Sequence, residues 1–427
     1  MFSPPNFLQS MNILHVISQH PESTGSGIYL QNLLRQAAAA GHRNFLVAGV
    51  TGDCLPRLAG IVEESCRFVR FAGLDLDFAI PGMSDVMPYP SSRFSELSPE
   101  SLLRYEQAFA AKISQVAGEF SIDLVHSHHL WLASAVTRRT LPRIPMVTSC
   151  HSTDLRQFVQ CPHLQGRVVG DCRKIDRIVA LSSSQAERIV SLYAIAPDKI
   201  GVAGIGFDEE IFTGKDRREA GPVHLLYAGK LSYAKGVDWL LRVFGNFAGQ
   251  EAHLPVHLHL AGSGSGSGEE ARECLEMAAR MGQRVTVHGP LSQQELARLM
   301  RRCHIFVLPS FYEGLPMVLL EALASGCRLV ATDLSGCLEL LGNAAPELVE
   351  FVALPPLCAI DRPDARDWGL LDSKLQAALS VMTRRVISAP SPPYEEIPKI
   401  TGRSSWKTVF GKIAEAYDRA RRCHGLW

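Results

Sequence analysis

At 427 residues the chain is longer than a single hydrophobic core usually supports, about 250–300 residues, so two domains are expected. A composition of 46% hydrophobic, 20% charged and 7% aromatic residues excludes disordered, collagen-like and disulfide-scaffold chains. Lys plus Arg and Asp plus Glu both number 43, so there is no net field of the kind nucleic-acid or polybasic membrane binders carry, and any anion must be held by a local site.

The first half alternates strands with helices. The apolar run Met11 to Ile17 is a strand, followed by a loop and a helix-patterned stretch from Ile28 to Ala40. Strand-like runs follow at Asn44–Val50, Cys66–Arg70, Leu124–His126, Pro145–Ser149 and Arg177–Leu181, with a helix over Pro99–Phe120. Periodicity lapses between Gly201 and Phe212, read as a linker. A second series then starts at Val223–Ala228. It continues with a helix near Val237–Phe247, strands at Val256–Ala261 and Val285–His288, a helix at Gln293–Arg302, a strand at Ile305–Leu308, a helix at Met317–Ser325 and a strand at Arg328–Thr332. Ala389–Pro398 is Pro-rich and reads as loop, and Trp406–Arg422 has helical spacing. Such alternation implies the α/β class, with two doubly wound, mostly parallel sheets whose strand C-termini and helix N-termini face a shared cleft.

The 11 cysteines are scattered without metal spacing, and Met1–Ser10 lacks the charged and apolar regions of a signal peptide, which favours a reducing cytoplasm. Cys150, Cys161 and Cys172 are each eleven positions apart, match no zinc pattern and read as buried thiols. No apolar run approaches the ~18–20 residues a bilayer span needs, which leaves peripheral contact with the inner membrane face open.

Several segments carry chemistry. Thr24-Gly25-Ser26-Gly27, between a strand and a helix, reads either as a phosphate-proximal loop or as a plain turn. Gly262–Gly268 alternates Ser and Gly but lacks an acidic ribose partner about twenty residues on, and is read as a flexible surface loop. Lys230 and Lys235, between a strand and a helix, are either a diphosphate clamp or solvated cations. Glu313 and Gly314 lead into an apolar helix that holds Glu321, a costly carboxylate unless it faces a polar site. Glu313 alone also fits a favourable charge at a helix N-terminus. Asp75-Leu76-Asp77 spells a D-x-D pattern in a loop-like region.

Together these segments resemble the GT-B glycosyltransferases, specifically the retaining family 4 (glycosyl transferases group 1), over nearly the whole chain. Gly25 to Gly27 resembles the N-terminal glycine loop, Asp123–His128 and Val147–Thr153 the two histidine segments, and Val202–Phe212 the linker. Glu313 and Glu321 match the paired glutamates, and Ser404-Ser405-Trp406 the closing segment.

The resemblance implies an acceptor-binding domain over residues 1–210, rejoined by a helix over about 404–422, and a donor-binding domain over 211–400. It implies a nucleotide-diphosphate sugar donor, a hydroxyl acceptor (glycan, lipid or small molecule), no nucleic-acid partner, no cofactor and no metal. Lys235 would hold the diphosphate, with Lys230 where the family usually has Arg. Glu313 would address the donor sugar and Glu321 the ribose hydroxyls. The turn Gly314-Leu315-Pro316 and the amides of Met317 and Val318 would meet the phosphates, and His151 would lie beside the phosphate and the anomeric carbon. His128 and His129 are left without a role. A nucleotide-sugar isomerase or hydrolase on the same fold is the alternative, and a non-catalytic nucleotide-sugar sensor a third reading.

Overall fold

The computed structural model of the protein describes residues 10–425 apart from 23, 53–54, 85–86, 215–220, 251–255, 265–267 and 360. The tip of the Ser-Gly loop, 265–267, and most of the Met1–Ser10 segment therefore lie outside the described residues. The chain divides into two compact units, one formed by Met1–Gly204 with Trp406–Trp427 and the other by Ile205–Ser405.

In the first unit the elements run β1 (Asn12–Ile17), α1 (Gly25–Ala39), β2 (Arg43–Thr51), β3 (Cys66–Phe71), the two-residue strands β4 (Pro81–Gly82) and β5 (Ser92–Arg93), α2 (Pro99–Glu119), β6 (Leu124–His128), α3 (Leu132–Thr140), β7 (Met146–Ser149), α4 (Thr153–Gln160), α5 (Gln165–Cys172), β8 (Arg177–Ala180), α6 (Ser183–Tyr193) and β9 (Ile200–Val202). After the second unit, α14 (Trp406–Cys423) completes it. The seven-stranded sheet has the order β3-β2-β1-β6-β7-β8-β9, parallel throughout. Helices cover both faces, which is why β1 and β2 read as largely apolar runs rather than alternating ones, and why all five residues of β6 are buried, His126, Ser127 and His128 included. Leu14, Phe45, Phe109, Trp131 and Tyr193 are central to the larger core.

In the second unit follow β10 (Val223–Ala228), α7 (Val237–Gln250), β11 (Val256–Ala261), α8 (Glu269–Arg280), β12 (Val285–Gly289), α9 (Gln293–Arg302), β13 (Ile305–Leu308), α10 (Met317–Ala324), β14 (Arg328–Thr332), α11 (Ser335–Leu341), β15 (Val349–Val352), α12 (Trp368–Ser388) and α13 (Ile397–Thr401). The order β12-β11-β10-β13-β14-β15 is again parallel. Leu225, Tyr227 and Leu258 face one core with Trp239, and Leu226 and Phe306 face the other with Leu320. Ile397 and Pro398, expected in a loop, begin the short helix α13, where proline at the start of a helix costs no hydrogen bond.

In each sheet the strand order reverses direction beside the first strand of the unit, between β1 and β6 and between β10 and β13. In open α/β sheets ligands lie outside the strand C-termini at such a switch point. Lys230 leaves β10 there and the Glu313 loop leaves β13; the Gly25 loop leaves β1, and His128 and His129 stand at the end of β6.

Among the described residues no helix is long and apolar enough to cross a membrane. Cys150, Cys161 and Cys172 are fully buried thiols outside any disulfide, and Cys161 Sγ donates to Gln157 Oε1 at 3.6 Å.

Candidate active site

In the second unit two loops zip together at the switch point. The backbone N–H of Phe311 donates to Ala234 O at 3.0 Å. Gly236, at φ +65°, is indispensable because a Cβ there would stand 2.1 Å from Pro309 O. Lys235 is thereby held over the β13 loop, where its Nζ donates to Glu313 Oε1 at 2.7 Å and to Tyr312 O at 3.3 Å. Ser310 Oγ donates to the same carboxylate oxygen at 2.7 Å, and Ser310 O in turn accepts from Thr332 Oγ1 at 2.7 Å. Gly336 lets the loop lie flat on α11, since a Cβ there would meet Gly314 O at 1.8 Å.

The helix that follows this loop, α10, has Pro316 at its N-cap and no side-chain cap, so Met317 and Val318 present backbone N–H groups at its partly open start. Leu315 is half-buried between Gly314 and that cap. One turn further in, Glu321 is buried at 8% exposure. Burial first, and then the negative charge of Asp208, push its carboxyl up to about 7. Lys230 leaves β10 with its backbone O accepting from Tyr227 Oη at 2.6 Å. Although the residue keeps a solvent-facing side, dehydration by its surroundings and then the charge of Lys235 lower its pKa. The second unit thus brings Lys230, Lys235, Glu313, Gly314, Leu315, Pro316, Met317, Val318 and Glu321 to one edge of its sheet.

The first unit holds the remaining candidates. Thr24 caps α1, its Oγ1 accepting from Gly27 N at 3.0 Å. Gly27 is sterically required, because a Cβ would meet Pro21 O at 2.6 Å, while nothing lies within 4 Å of a Cβ at Gly25. At the ends of β6 and β7, His129 and Ser152 both adopt φ +71°, a conformation that costs a non-glycine residue of order 1–3 kcal/mol and clusters at functional sites. Asp154 ties the two turns together, accepting from Leu130 N at 2.7 Å and from His151 N at 3.1 Å. His151 is flanked by Tyr29, edge-on at 4.9 Å between ring centroids, and its Nε2 lies 3.3 Å from His128 Nδ1. Burial first, then the charges of His129 and His126, hold it well below the ordinary imidazole range, so it is neutral.

Ring nitrogens of His15, His126 and His128 lie within 4.8 Å of one another. They do not form a ready metal cradle. The His126 and His128 planes are only 14° apart and stacked, so their in-plane lone pairs run side by side instead of converging. Both His126 nitrogens are already engaged, by Tyr417 Oη at 2.7 Å and Ser149 Oγ at 2.9 Å. The D-x-D carboxylates are occupied too. Asp75 accepts from Arg70 N at 2.8 Å and pairs with Lys112 at 3.3 Å, and Asp77 pairs with Arg104 at 2.9 Å.

Sequence reasoning missed Ser310, Thr332, Asp208, Tyr29 and Asp154. Asp154 and Ser310 stand three residues from His151 and Glu313, a spacing that could have been noticed. The others arrive through tertiary packing.

The chain thus has two parallel-sheet, Rossmann-like α/β units, with a charged loop at the switch point of the second, an architecture that hosts many activities. Comparison with known proteins makes this specific: residues 23–211 match the family described as Glycosyltransferase Family 4, and residues 222–353 match Glycosyl transferases group 1. The D-inositol 3-phosphate glycosyltransferase of Arthrobacter sp. (strain FB24) is 30% identical over 303 residues, 66% of this chain and 69% of the relative. D-inositol 3-phosphate glycosyltransferase 1 of Catenulispora acidiphila is 28% identical over 360 residues, 78% of this chain and 81% of the relative. The fold is shared with sucrose-phosphate synthase from Thermosynechococcus elongatus (TM-score 0.67, 17% identity, 97% of this chain and 100% of that one). It is shared as well with Anabaena HepE, solved in complex with UDP and glucose (TM-score 0.62, 16% identity, 96% and 99%). The chain belongs to the family 4, group 1 glycosyltransferases of GT-B fold, and is a glycosyltransferase.

Proposed function

We propose that this enzyme is a retaining, hexosyl-type transferase that moves a sugar from a nucleotide-diphosphate donor onto an acceptor hydroxyl. The second unit would hold the donor and the first the acceptor. The observation that carries this reading is the Lys235–Glu313 pair, 2.7 Å apart, at the open start of α10 with Glu321 buried one turn on. A donor diphosphate entering there meets Lys235, Lys230 and the amides of Met317 and Val318, all suited to charge that grows as the glycosidic bond breaks. Glu313, oriented by Ser310 and Lys235, would lend its second carboxylate oxygen to the sugar. Glu321, at about 7, is poised to ionise as ribose hydroxyls donate to it.

Neutral His151 suits a hydrogen-bonding part beside the anomeric carbon better than that of a standing charge. Gly25, with nothing within 4 Å of where a Cβ would stand, would leave backbone room next to the reacting group, and Gly27 would let the loop close against Pro21. No side chain is assigned as a covalent nucleophile; the acceptor attacks from the face the leaving group departs, and the donor phosphate takes its proton. Neither a cofactor nor a metal is assigned to the reaction, and the enzyme is read as cytoplasmic, with any membrane contact made through the acceptor.

The test is a panel of uridine, guanosine and adenosine diphosphate sugars, screened by thermal shift and then by product NMR with and without acceptors. The relatives' names make a phosphorylated cyclitol the first acceptor to try. An acceptor-dependent product with the donor's anomeric configuration is expected. Equal donor consumption without acceptor would replace this reading by a hydrolase or isomerase, and an inverted product would remove retention.

A further inference from the structure

A second group of titratable side chains stands apart from every residue used above. On one face of the second unit's sheet, His224 of β10, His259 of β11 and His288 of β12 form an in-line series. His224 Nδ1 lies 2.9 Å from His259 Nε2, and His259 Nδ1 lies 3.0 Å from His288 Nε2. The ring centroids are 5.1 and 5.2 Å apart. An imidazole nitrogen sits a little over 1 Å from its ring centre, so these separations place the rings end to end, in the geometry of N–H···N hydrogen bonds.

The series depends on an irregularity in the edge strand. Leu260 pairs with Val287 and Ala261 with Gly289, which leaves His288 as the bulged residue between them. His257, whose Nε2 bonds Thr286 Oγ1 at 2.8 Å, and His304, whose Nδ1 accepts from His224 N at 3.1 Å, close the array on either side. The four strand histidines are half-buried.

Proton counting constrains such a series. Each N···N contact needs one proton and tolerates no second. Three neutral rings carry three protons, two of them in the contacts. A fourth fits on the free terminal nitrogen, giving one net charge with both contacts intact. A fifth has no place except inside a contact, where two N–H groups would then oppose each other.

The series runs obliquely across the sheet from His224, near the start of β10, to His288, whose end lies under the loops at the strand C-termini. The amide of Gly262 donates to Gly289 O at 2.7 Å, Gly229 N to Ala261 O at 3.0 Å and Leu231 N to Ser263 O at 3.1 Å. Gly262, at φ +130°, is so close to the β10 loop that a Cβ would meet Gly229 O at 1.9 Å. The Lys230 loop is therefore tied to the end of β11, which pairs with β10 on one side and with the edge strand β12 on the other.

We propose that the His224–His259–His288 series is an acid-sensitive latch, which holds the edge strand β12 and the glycine loops above it while it carries at most one extra proton and releases them when it takes up a second. The other charges facing it act in the same direction. Arg302 of α9 repels protons from His224, His259 and His288, and His257 does so for all three as well. Burial lowers all four, acting alone at His257 and joined by these neighbours at the other three, with His259 brought to about 3, so release belongs to the acid side of the ordinary imidazole range. The latch goes beyond the donor-site reading and does not depend on it, because its test reads backbone opening and not transfer.

The experiment is amide hydrogen exchange of the intact protein at pH 7.5 and pH 5.0, corrected for the intrinsic rate. Protection over residues 285–289 and 256–262 is expected to fall about tenfold or more in acid, with β14 and β15 unchanged. The double variant His224→Asn/His288→Gln matches the reach of Nδ1 and Nε2 respectively and keeps both contacts at either protonation state of His259, because a primary amide can turn to donate or accept. Its loss of protection in acid should be much smaller than that of wild type, leaving only what the burial of His259 itself causes. His257→Gln, outside the in-line contacts, should still open in acid. Wild-type protection that is the same at both pH values overturns the latch without recourse to any variant, and so does acid opening that persists undiminished in a folded double variant.

Discussion

Lys235 and Glu313, 78 positions apart in sequence, form an ion pair of 2.7 Å at the mouth of the β13 loop, with the lysine side chain 27% and the carboxylate 12% exposed. A lysine kept this way is pre-positioned with its charge partly desolvated, and a diphosphate can take over the role Glu313 plays in the free enzyme. Lys235→Ala is expected to lower kcat/KM for the donor by ~2–4 kcal/mol, because the contact is with charge that grows in the transition state. Lys230→Ala, on the more open loop, should cost less. Steady-state kinetics of the two variants decide the matter: small and equal losses would return both lysines to the status of surface charges.

The D-x-D carboxylates are matched by Lys112 and Arg104, and the stacked histidines offer no common lone-pair focus. Turnover should therefore persist in excess EDTA, measured as initial rate before and after prolonged dialysis. A loss of activity that an added divalent ion restores would contradict this and place a cation on the donor phosphates.

The C-terminal helix α14 is tied into the first unit through a buried polar contact. Tyr417 Oη lies 2.7 Å from His126 Nδ1, and Trp406 packs edge-on against Tyr29 at 5.1 Å. Tyr417→Phe leaves a fully buried imidazole nitrogen without its partner and should cost about 1–3 kcal/mol of stability. Removing the residues beyond Gly402 strips away Val409, Ile413 and Tyr417, all fully buried, and should destabilise the first unit far more. Urea unfolding checks both, and a truncated chain as stable as the whole would refute the argument.

Much of this was readable because it is local. Parallel strands buried on both faces write themselves as short apolar runs, so β1, β2, β10, β11 and β13 are visible to within a residue or two. Glu321 stands out as one carboxylate in an apolar helix. Helix α8 is less conspicuous, because its buried positions are the small residues Ala271, Cys274 and Ala278. Tertiary pairings are silent in one dimension. Nothing near Lys235 names Glu313 as its partner, Asp208 faces Glu321 only because the chain returns there, and the imidazole series needs three strands in the order β12-β11-β10 and a bulge at His288.

The two glutamates should fail differently when each is changed to glutamine. Glu313→Gln weakens the hold on Lys235 and the contact proposed to the sugar, so it should lower kcat while leaving affinity for the free nucleoside diphosphate close to normal. Glu321→Gln removes a charge-assisted contact to the nucleotide itself and should weaken that affinity by ~1–2 kcal/mol whether or not a sugar is attached. Calorimetry with the nucleoside diphosphate, set beside kinetics with the matching donor, separates the cases. Normal binding and normal transfer in both variants would remove the paired-glutamate assignment.

Glu321 also makes stability depend on pH in a direction its burial fixes. The unfolded carboxyl titrates at its ordinary value of 4.5, and the folded one at about 7. Below 4.5 both states are protonated and nothing is lost. Between 4.5 and 7 the unfolded chain releases a proton that the folded chain retains, so stability falls as pH rises, and above 7 the loss is complete. Its upper bound is about 3.5 kcal/mol, from ~1.4 kcal/mol for each pH unit separating the two values. Glu321→Gln carries no such charge. Without nucleotide it should match wild type near pH 4.5 and be more stable by about 1–3 kcal/mol at pH 8, read from urea unfolding at the two pH values. Adding the preferred nucleoside diphosphate at pH 8 should narrow that gap, because binding stabilises wild type by mass action and the variant less. A variant no more stable than wild type at pH 8 would mean that the carboxylate is already satisfied in the free enzyme and is not held in readiness for ribose hydroxyls.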